Sequence, residues 1–384
     1  MSYDFDQIIE RRHSDSRKWN SYEEDVLPLS GAEMDFAPAE PIIRALYQRV
    51  DHRMFGYNME PPELRNVVRE RLHRLYGWQV SAEALAFLPG VVTGFNLACH
   101  AAASPGDGAL VQTPVYPGIL AAPANAGLVR HEMPLTCQTD GRYVIDFDAF
   151  ESAFTDRTRI FVLCNPHNPV GRVFRREELE RMAEICLRHD VVICSDEIYG
   201  DWVFSGNRHL PIASLDPEIA ARTITLIGTS KSHNIPGLRC AVAIVENAEL
   251  LERLLAYRQG LVPAVNAVEY TATLAAYREG QPWQDAVLRY LEANREFIAG
   301  YVNTQLPGVR MVRPEGSPVA WLDCRQAGIP GSPFHFFLQK ARVALNDGGA
   351  YGPGGKGFVR LAFGCPRALL EKGLDRMKKA LATL

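Results

Sequence analysis

The sequence has no long apolar run, no paired cysteines and no excess of basic charge. A run of roughly 18 apolar residues is needed to span a bilayer, and none occurs. Lys and Arg number 41 against 45 Asp and Glu, so no basic surface is offered to nucleic acid. Residues 1–6 are polar and acidic, unlike a secretory signal. These absences predict a soluble cytoplasmic protein that binds neither nucleic acid nor membrane.

The eight cysteines are scattered singly, without the C-x-x-C spacing of zinc and redox sites. We therefore expect buried, reduced thiols, no disulfide framework and no metal site. The composition is otherwise that of a globular protein, with 47% apolar and 22% charged residues. A chain of 384 residues exceeds one ordinary hydrophobic core, which predicts two lobes.

Short apolar runs alternate with amphipathic stretches up to about residue 280, a pattern typical of helices that cover both faces of a mostly parallel sheet. The runs are 84–88, 109–111, 159–164, 191–194, 223–227 and 240–245. A long helical stretch and then mixed short strands and helices follow. The pattern predicts a large α/β domain (46–281) and a small α+β domain (282–384), which an N-terminal segment (1–45) joins.

A lysine closely follows the predicted strand 223–227, in Gly228-Thr-Ser-Lys231. Ligands of α/β sheets bind beyond the carboxyl ends of the strands, so Lys231 can contact a bound aldehyde there. An amine must be partly neutral to attack a carbonyl, and burial favours the neutral form. Taken alone, a solvated loop lysine is the better explanation of this residue.

Asp196 and Tyr199 follow the predicted strand 191–194. A carboxylate buried at a strand end needs a cationic partner, and the protonated ring nitrogen of a cofactor is one. Tyr199 lies three residues further on and can reach an oxygen of the same ring. A helix-capping aspartate with a packing tyrosine is the alternative.

Two further segments are turn-forming and are weak signals by themselves. Asn168 lies in NPHNP (165–169) after the predicted strand 159–164, and Asn-Pro pairs are common in turns. The segment PGVVTG (89–94) leads a strand into a helix, where glycine lets backbone N–H groups approach a phosphate. All four segments together, in this order and spacing, are far more specific.

With these segments the chain resembles the fold-type I pyridoxal-phosphate enzymes, and within them the carbon–sulfur β-lyases of the MalY/PatB type. The resemblance covers nearly the whole length, through segments 5–9, 18–19, 34–36, 55–57, 113–117, 358–361 and 364–366. It implies an aspartate-aminotransferase-like fold, with a large mostly parallel-sheet domain and a smaller α+β domain. It also implies a pyridoxal 5'-phosphate cofactor and a homodimer with shared active sites.

The resemblance implies a role for each residue around the cofactor ring. Lys231 would bind the cofactor covalently and then move the proton of the substrate Cα. Asp196 would pair with the ring nitrogen, while Asn168 and Tyr199 would hydrogen-bond the ring oxygen. Tyr116 would stack on the ring and act in catalysis. Asn168 and Tyr116 would also contact the substrate.

The phosphate and the substrate carboxylate have their own implied partners. Val92, Thr93 and Arg239 would bind the phosphate through a backbone N–H, a hydroxyl and a guanidinium. Tyr57 would reach the phosphate of the neighbouring subunit and take part in catalysis there. Arg360 would hold the substrate carboxylate bidentately. Without the resemblance, Arg360 is explained by a surface salt bridge.

The chain departs from the lyases it resembles at several positions. Tyr199 stands where they usually have histidine, and Ser30-Gly31 where a tryptophan precedes Met-Asp-Phe. His233 replaces an aromatic residue, and Pro318 replaces a common tyrosine. We expect a wider site that prefers a bulky or polar S-substituted cysteine to cystathionine. We also expect His233 to exchange a proton near neutral pH, and Tyr199 to raise an aminotransferase side reaction.

The implied function is β-elimination. Cleavage of the Cβ–S bond of cystathionine or another S-substituted cysteine would give a thiol, pyruvate and ammonia. An aminotransferase, which shares the early steps, is the alternative. A non-catalytic ligand-sensing or partner-binding protein is the alternative of another class, and the presence of Lys231, Asp196 and Arg360 together argues against it.

Overall fold

The computed structural model describes residues 3–384, whose strands form two principal sheets. The strands are β1 (Leu27–Pro28), β2 (Leu85–Leu88), β3 (Gly108–Thr113), β4 (Val129–Pro134), β5 (Thr136–Cys137), β6 (Tyr143–Val144), β7 (Thr158–Cys164), β8 (Val192–Asp196), β9 (Thr223–Gly228), β10 (Ala241–Ile244), β11 (Arg310–Met311), β12 (Val319–Asp323), β13 (Val343–Ala344), β14 (Asn346–Asp347) and β15 (Phe358–Ala362).

Helices connect these strands in chain order. They are α1 (Arg17–Asn20), α2 (Glu40–Asp51), α3 (Leu64–Tyr76), α4 (Val91–Ala102), α5 (Pro117–Asn125), α6 (Phe147–Ser152), α7 (Arg176–Arg188), α8 (Pro217–Ala221), α9 (Thr229–Ser232), α10 (Ala248–Arg258), α11 (Ala267–Glu279), α12 (Gln281–Gln305), α13 (Pro333–Phe336) and α14 (Arg367–Leu381). Short 3-10 turns occupy Ile212–Ser214 and Gly348–Tyr351, and a π-helical turn occupies Phe337–Ala341.

The larger sheet has seven strands in the order β2-β10-β9-β8-β7-β3-β4. Strands β4, β3, β7, β8 and β9 run parallel, whereas β10 is antiparallel to both of its neighbours. The register pairs Cys164 with Asp196 and Asp196 with Leu226, so β7, β8 and β9 end close together. Residues that follow these three strands therefore meet at one edge of the sheet.

Helices cover both faces of the seven-stranded sheet, and its strands are buried for most of their length. Helix α4 packs very closely on β9. A Cβ placed on Gly94 of α4 would lie 2.7 Å from Leu226 Cδ2, so only glycine allows this approach without a shift of the leucine. The close packing brings the amino end of α4 next to the strand that precedes Lys231.

The smaller sheet is antiparallel, in the order β11-β12-β15-β14, and it packs with α12 and α14 in one apolar core. The N-terminal segment lies against it. Strand β1 pairs in parallel with β13, and the Ala362 N–H donates to the Leu29 carbonyl at 2.8 Å. Residues from both ends of the chain thus contribute to this lobe, while the domain limits at 45 and 281 stay a prediction.

The α/β class expected from the sequence is confirmed, with strand ends that lie within two residues of the expected ones. The apolar pattern of the sequence does not predict β4 or α3. Strand β4 is at the edge of the sheet, so Val129 and Arg130 are exposed and no apolar run marks it. Helix α3 buries only Leu64, Val68, Arg71 and Leu72, and many of its other residues are charged, so its apolar pattern is weak.

Within residues 3–384, no helix is long and apolar enough to cross a membrane. Nor do three His, Cys, Asp or Glu side chains come together there in a group that could hold a metal ion. All eight cysteines are free, and every one except Cys137 is buried.

Candidate active site

Lys231 lies in α9, a single helical turn that directly follows β9. Burial lowers the pKa of its ammonium to about 8, because the charged form loses solvation, and the positive charge of Arg360 lowers it further. The negative charges of Glu33 and Asp196 oppose this shift. A substantial fraction of Lys231 is therefore neutral near physiological pH, as a nucleophilic amine requires.

Asp196 ends β8, beside Lys231, and only 4% of it is exposed. Burial raises the pKa of this carboxyl to about 7, against a hydrogen bond from the Ile198 N–H at 3.1 Å. The charge of Glu197 raises the pKa further, and that of Lys231 lowers it. A buried carboxyl with a pKa this high lacks a strong cationic partner to stabilise its charged form. A protonated ring nitrogen would supply that partner.

The amino end of α4 forms a second part of the site. Gly90 caps the helix with φ 102°, a conformation that favours glycine, and no side chain bonds to the first N–H groups of the helix. Val92 is half-exposed there, and the Thr93 hydroxyl donates to the Pro89 carbonyl at 3.2 Å. Arg239 Cβ lies 3.8 Å from the position of a Cβ on Gly90. The N–H groups at the amino end of α4 and the Thr93 hydroxyl form a suitable site for a phosphate, and the Cβ of Arg239 lies close by.

Two tyrosines lie near Asp196. Tyr116 caps the amino end of α5, where burial raises the pKa of its phenol and the charge of Asp196 raises it further. Tyr199 is buried, and burial raises the pKa of its phenol, against the charge of Arg360. Both phenols therefore stay protonated near neutral pH and can donate a hydrogen bond.

Arg360 on β15 brings the smaller sheet into the site. Its Nη1 donates to Asn168 Oδ1 at 2.9 Å, and its Nη2 donates to Asn346 Oδ1 at 2.8 Å and to the Gly31 carbonyl at 3.4 Å. Its Nε is buried without a partner among residues 3–384. The guanidinium also lies 5.3 Å from the Tyr351 ring centroid.

All the hydrogen-bond partners of Arg360 are neutral oxygens, so its charge is positioned but not neutralised. The surface salt bridge considered from the sequence alone is wrong for this reason and because the residue is buried. A buried cation with a spare N–H is a natural partner for a carboxylate. Asn346 was not predicted, because only the pairing of β14 with β15 sets it opposite Arg360.

Together these groups fit pyridoxal phosphate. Lys231 would bind it, Asp196 would pair with its ring nitrogen, and the amino end of α4 would receive its phosphate. Asn168, Tyr116 and Tyr199 lie around Asp196 and Arg360, as the site requires. Tyr57 does not lie with them, because its side chain projects fully into solvent.

The departures noted in the sequence have different outcomes. At Gly31, which has φ 82°, no atom of the described residues other than those of its two chain neighbours lies within 4 Å of the position of a Cβ. Pro318 is buried, and its carbonyl accepts a hydrogen bond from the Phe363 N–H at 3.0 Å. Ser30 is buried as well.

The expectation that His233 exchanges protons near neutral pH is wrong. Burial lowers the pKa of this imidazole to about 4, against the charge of Asp201, because the charged form would be desolvated. The ring stacks near Trp283, with centroids 6.4 Å apart, and its Nδ1 lies 2.9 Å from Ser232 Oγ. His233 is thus a packing residue behind α9.

Known proteins resemble this chain over its full length. Cystathionine beta-lyase PatB of Bacillus subtilis (strain 168) is 39% identical over 388 residues, which cover 98% of this chain and 100% of PatB. The crystal structure of OvoB is 44% identical, covers 100% of both chains and superposes with a TM-score of 0.95. Cystalysin from Treponema denticola, whose structure contains pyridoxal 5'-phosphate, is 29% identical with the same coverage and TM-score.

One protein family accounts for this likeness. Aminotransferase class I and II matches residues 24–377, which include Lys231, Asp196 and Arg360. The chain belongs to the aminotransferase class I and II family.

Proposed function

We propose that the protein is a pyridoxal-phosphate-dependent lyase that cleaves the Cβ–S bond of an S-substituted cysteine. With one water the reaction gives a thiol, pyruvate and ammonia. The observation that carries the proposal is the buried, un-neutralised guanidinium of Arg360 in the same site as the partly neutral amine of Lys231. The name of PatB, a cystathionine beta-lyase 39% identical to this chain, supports the reaction type.

Each step assigns one task to one side chain. Arg360 binds the α-carboxylate of the substrate, and its amide partners Asn168 and Asn346 fix the orientation of the guanidinium. Neutral Lys231 then accepts the proton from Cα. Bound pyridoxal phosphate supplies an electron sink for the electron pair left on Cα. Asp196 keeps the ring nitrogen protonated, and the thiolate departs from Cβ.

An aminotransferase side reaction is the second candidate, and Tyr199 favours it. The buried phenol stays protonated, so it can donate to the ring oxygen as the tyrosine of the related aminotransferases does. Transamination needs the same Lys231 and Arg360 and differs in where the proton returns. It consumes a keto acid as co-substrate, which distinguishes it from elimination.

We propose further that two copies of the chain form a homodimer with shared sites. Exposed apolar side chains are concentrated in one stretch that ends close to α3, which is unusual for a solvated surface. The stretch contains Tyr47, Val50, Met54, Phe55, Tyr57 and Met59. In the dimer, Tyr57 would reach the cofactor phosphate of the partner subunit.

The first test is product formation from S-substituted cysteines. Holoenzyme should release equimolar pyruvate, ammonia and thiol without an added keto acid, measured by coupled pyruvate assay and thiol titration. Lys231→Ala should lose about a thousandfold or more in kcat, because the proton acceptor and the cofactor attachment are both removed. Turnover that depends on an added keto acid would instead establish the aminotransferase.

The second test is the pH dependence of cofactor attachment to the apoprotein. Lys231 attacks only as the neutral amine, so the attachment rate should rise with pH and level off above about 8. Stopped-flow absorbance measures this rate. In Arg360→Gln the midpoint should move upward, because the lost positive charge had lowered the pKa of Lys231. A wild-type rate still rising steeply near pH 10 would contradict the burial of this amine.

The third test separates substrate binding from cofactor binding. Arg360→Lys keeps the charge but loses the planar two-point contact, so KM should rise about tenfold or more. The dissociation constant of the cofactor should stay close to that of the wild type. Arg325→Lys serves as the control, because Arg325 is an exposed arginine that lies two residues after β12. An equal loss of both affinities in Arg360→Lys would indicate a structural role.

The fourth test uses hybrid dimers. Lys231→Ala and Tyr57→Ala should each be nearly inactive, but mixed subunits should regain activity, since one of the two sites then has both native residues. The variants are unfolded together, refolded and assayed beside each variant refolded alone. Failure to regain activity in dimers shown to be mixed would place Tyr57 outside the partner's site.

A further inference from the structure

Residues 31–36 run between two parts of the active site. At one end, Arg360 Nη2 donates to the Gly31 carbonyl at 3.4 Å. At the other, Asn234 binds the Met34 backbone on both sides, accepting from its N–H at 2.8 Å and donating to its carbonyl at 3.0 Å. Asn234 is three residues from Lys231, so this segment borders the space between Arg360 and the amine of Lys231.

Glu33 lies in the middle of this segment and retains free hydrogen-bonding capacity. Its Oε1 accepts from Arg11 Nη2 at 2.7 Å, whereas no group among residues 3–384 bonds to its Oε2. Its side chain is 29% exposed, and its negative charge raises the pKa of Lys231, so its field reaches the site. Asp35 differs: it is 3% exposed and is bound by both Arg11 and Lys18.

Room for a substituent exists beside Gly31. No atom lies within 4 Å of the position of a Cβ on Gly31, two residues before Glu33. The α-carboxylate of a bound conjugate is held at Arg360 and its Cα at Lys231. The group on sulfur would then extend past Gly31 toward Glu33.

We propose that Glu33 binds the S-substituent, and that the enzyme prefers cysteine conjugates whose substituent carries a cationic nitrogen. This inference rests on the proposed lyase function and narrows its substrate class. A cationic substituent pairs with the free oxygen of Glu33 at a partly desolvated position, whereas an anionic one is repelled. A neutral substituent gains neither effect and should rank between them.

Three conjugates of nearly equal length test the preference: S-(2-aminoethyl)cysteine, S-propylcysteine and S-carboxymethylcysteine. In the wild type, kcat/KM for the cationic conjugate should exceed that for the neutral one about three- to tenfold, and the anionic one should be poorest. In Glu33→Gln the ratio of cationic to neutral kcat/KM should fall to about one. A change that acts through Lys231 alters all three values alike and cancels in the ratio.

A binding measurement without turnover accompanies the kinetics. Lysine and 2-aminoheptanoate match the first two conjugates in length but have no sulfur to eliminate. Calorimetric titration of holoenzyme should give the tighter dissociation constant for lysine, and Glu33→Gln should remove the difference. Glu132→Gln, in which a similarly exposed glutamate paired with Arg130 on the distant strand β4 is changed, should keep the wild-type ratio.

The outcomes separate the inference from the function on which it rests. Equal or reversed ranking, with pyruvate formed from all three conjugates, overturns the role of Glu33 and leaves the lyase function intact. A cationic preference that persists in Glu33→Gln also overturns it. If no conjugate gives pyruvate, the lyase function itself fails, and the calorimetric ranking alone then decides whether Glu33 recognises a cation.

Discussion

The common end point of strands β7, β8 and β9 is the constraint on which the rest of this site depends. Parallel pairing in the observed register places Cys164, Asp196 and Leu226 side by side. The segments that follow each strand, with Asn168, Tyr199 and Lys231, must then gather at one edge. Burial at that edge moves the pKa of Lys231 down to about 8 and the pKa of Asp196 up to about 7. One topological fact therefore sets both the geometry and the proton affinities of the site.

The smaller sheet adds a fixed cation, Arg360, which we propose binds the carboxylate of the substrate. Arg360 is surrounded by amide and carbonyl oxygens from three separate parts of the chain, so its charge is oriented without being cancelled. If one of these neutral partners were a carboxylate, it would form an ion pair with Arg360 and lower the affinity of the site for an anion. These neutral partners leave the guanidinium of Arg360 free to bind the carboxylate of an amino acid in the function that we propose.

The N-terminal segment connects these two parts. At Leu29 its backbone hydrogen-bonds to strands β13 and β15 of the small lobe. At Met34 its backbone hydrogen-bonds to Asn234, which closely follows α9 and Lys231. Because hydrogen bonds hold the segment at both Leu29 and Met34, Glu33 and Gly31 have a defined position relative to Lys231 and Arg360.

The sequence by itself determined the fold class, the cofactor and the residues at the strand ends. Buried parallel strands are marked by continuous apolar runs, and the polar residues after them are local in sequence, so Lys231, Asp196, Tyr199 and Asn168 could be found there. The sequence was less informative for the edge strand β4. Most of its residues are at least partly exposed, so no continuous apolar run marks the strand.

Only the tertiary structure decided which distant residues meet, and in what environment. Asn346 contacts Arg360 through a strand register. Glu33 is held near Lys231 because the side chain of Asn234 hydrogen-bonds to the backbone of Met34, 200 positions away in sequence. His233 is two residues from Lys231 in sequence, yet burial against Trp283 lowers the pKa of its imidazole to about 4. Neighbours in sequence share a strand end, but solvation depends on what packs around each side chain, and that is a property of the whole fold.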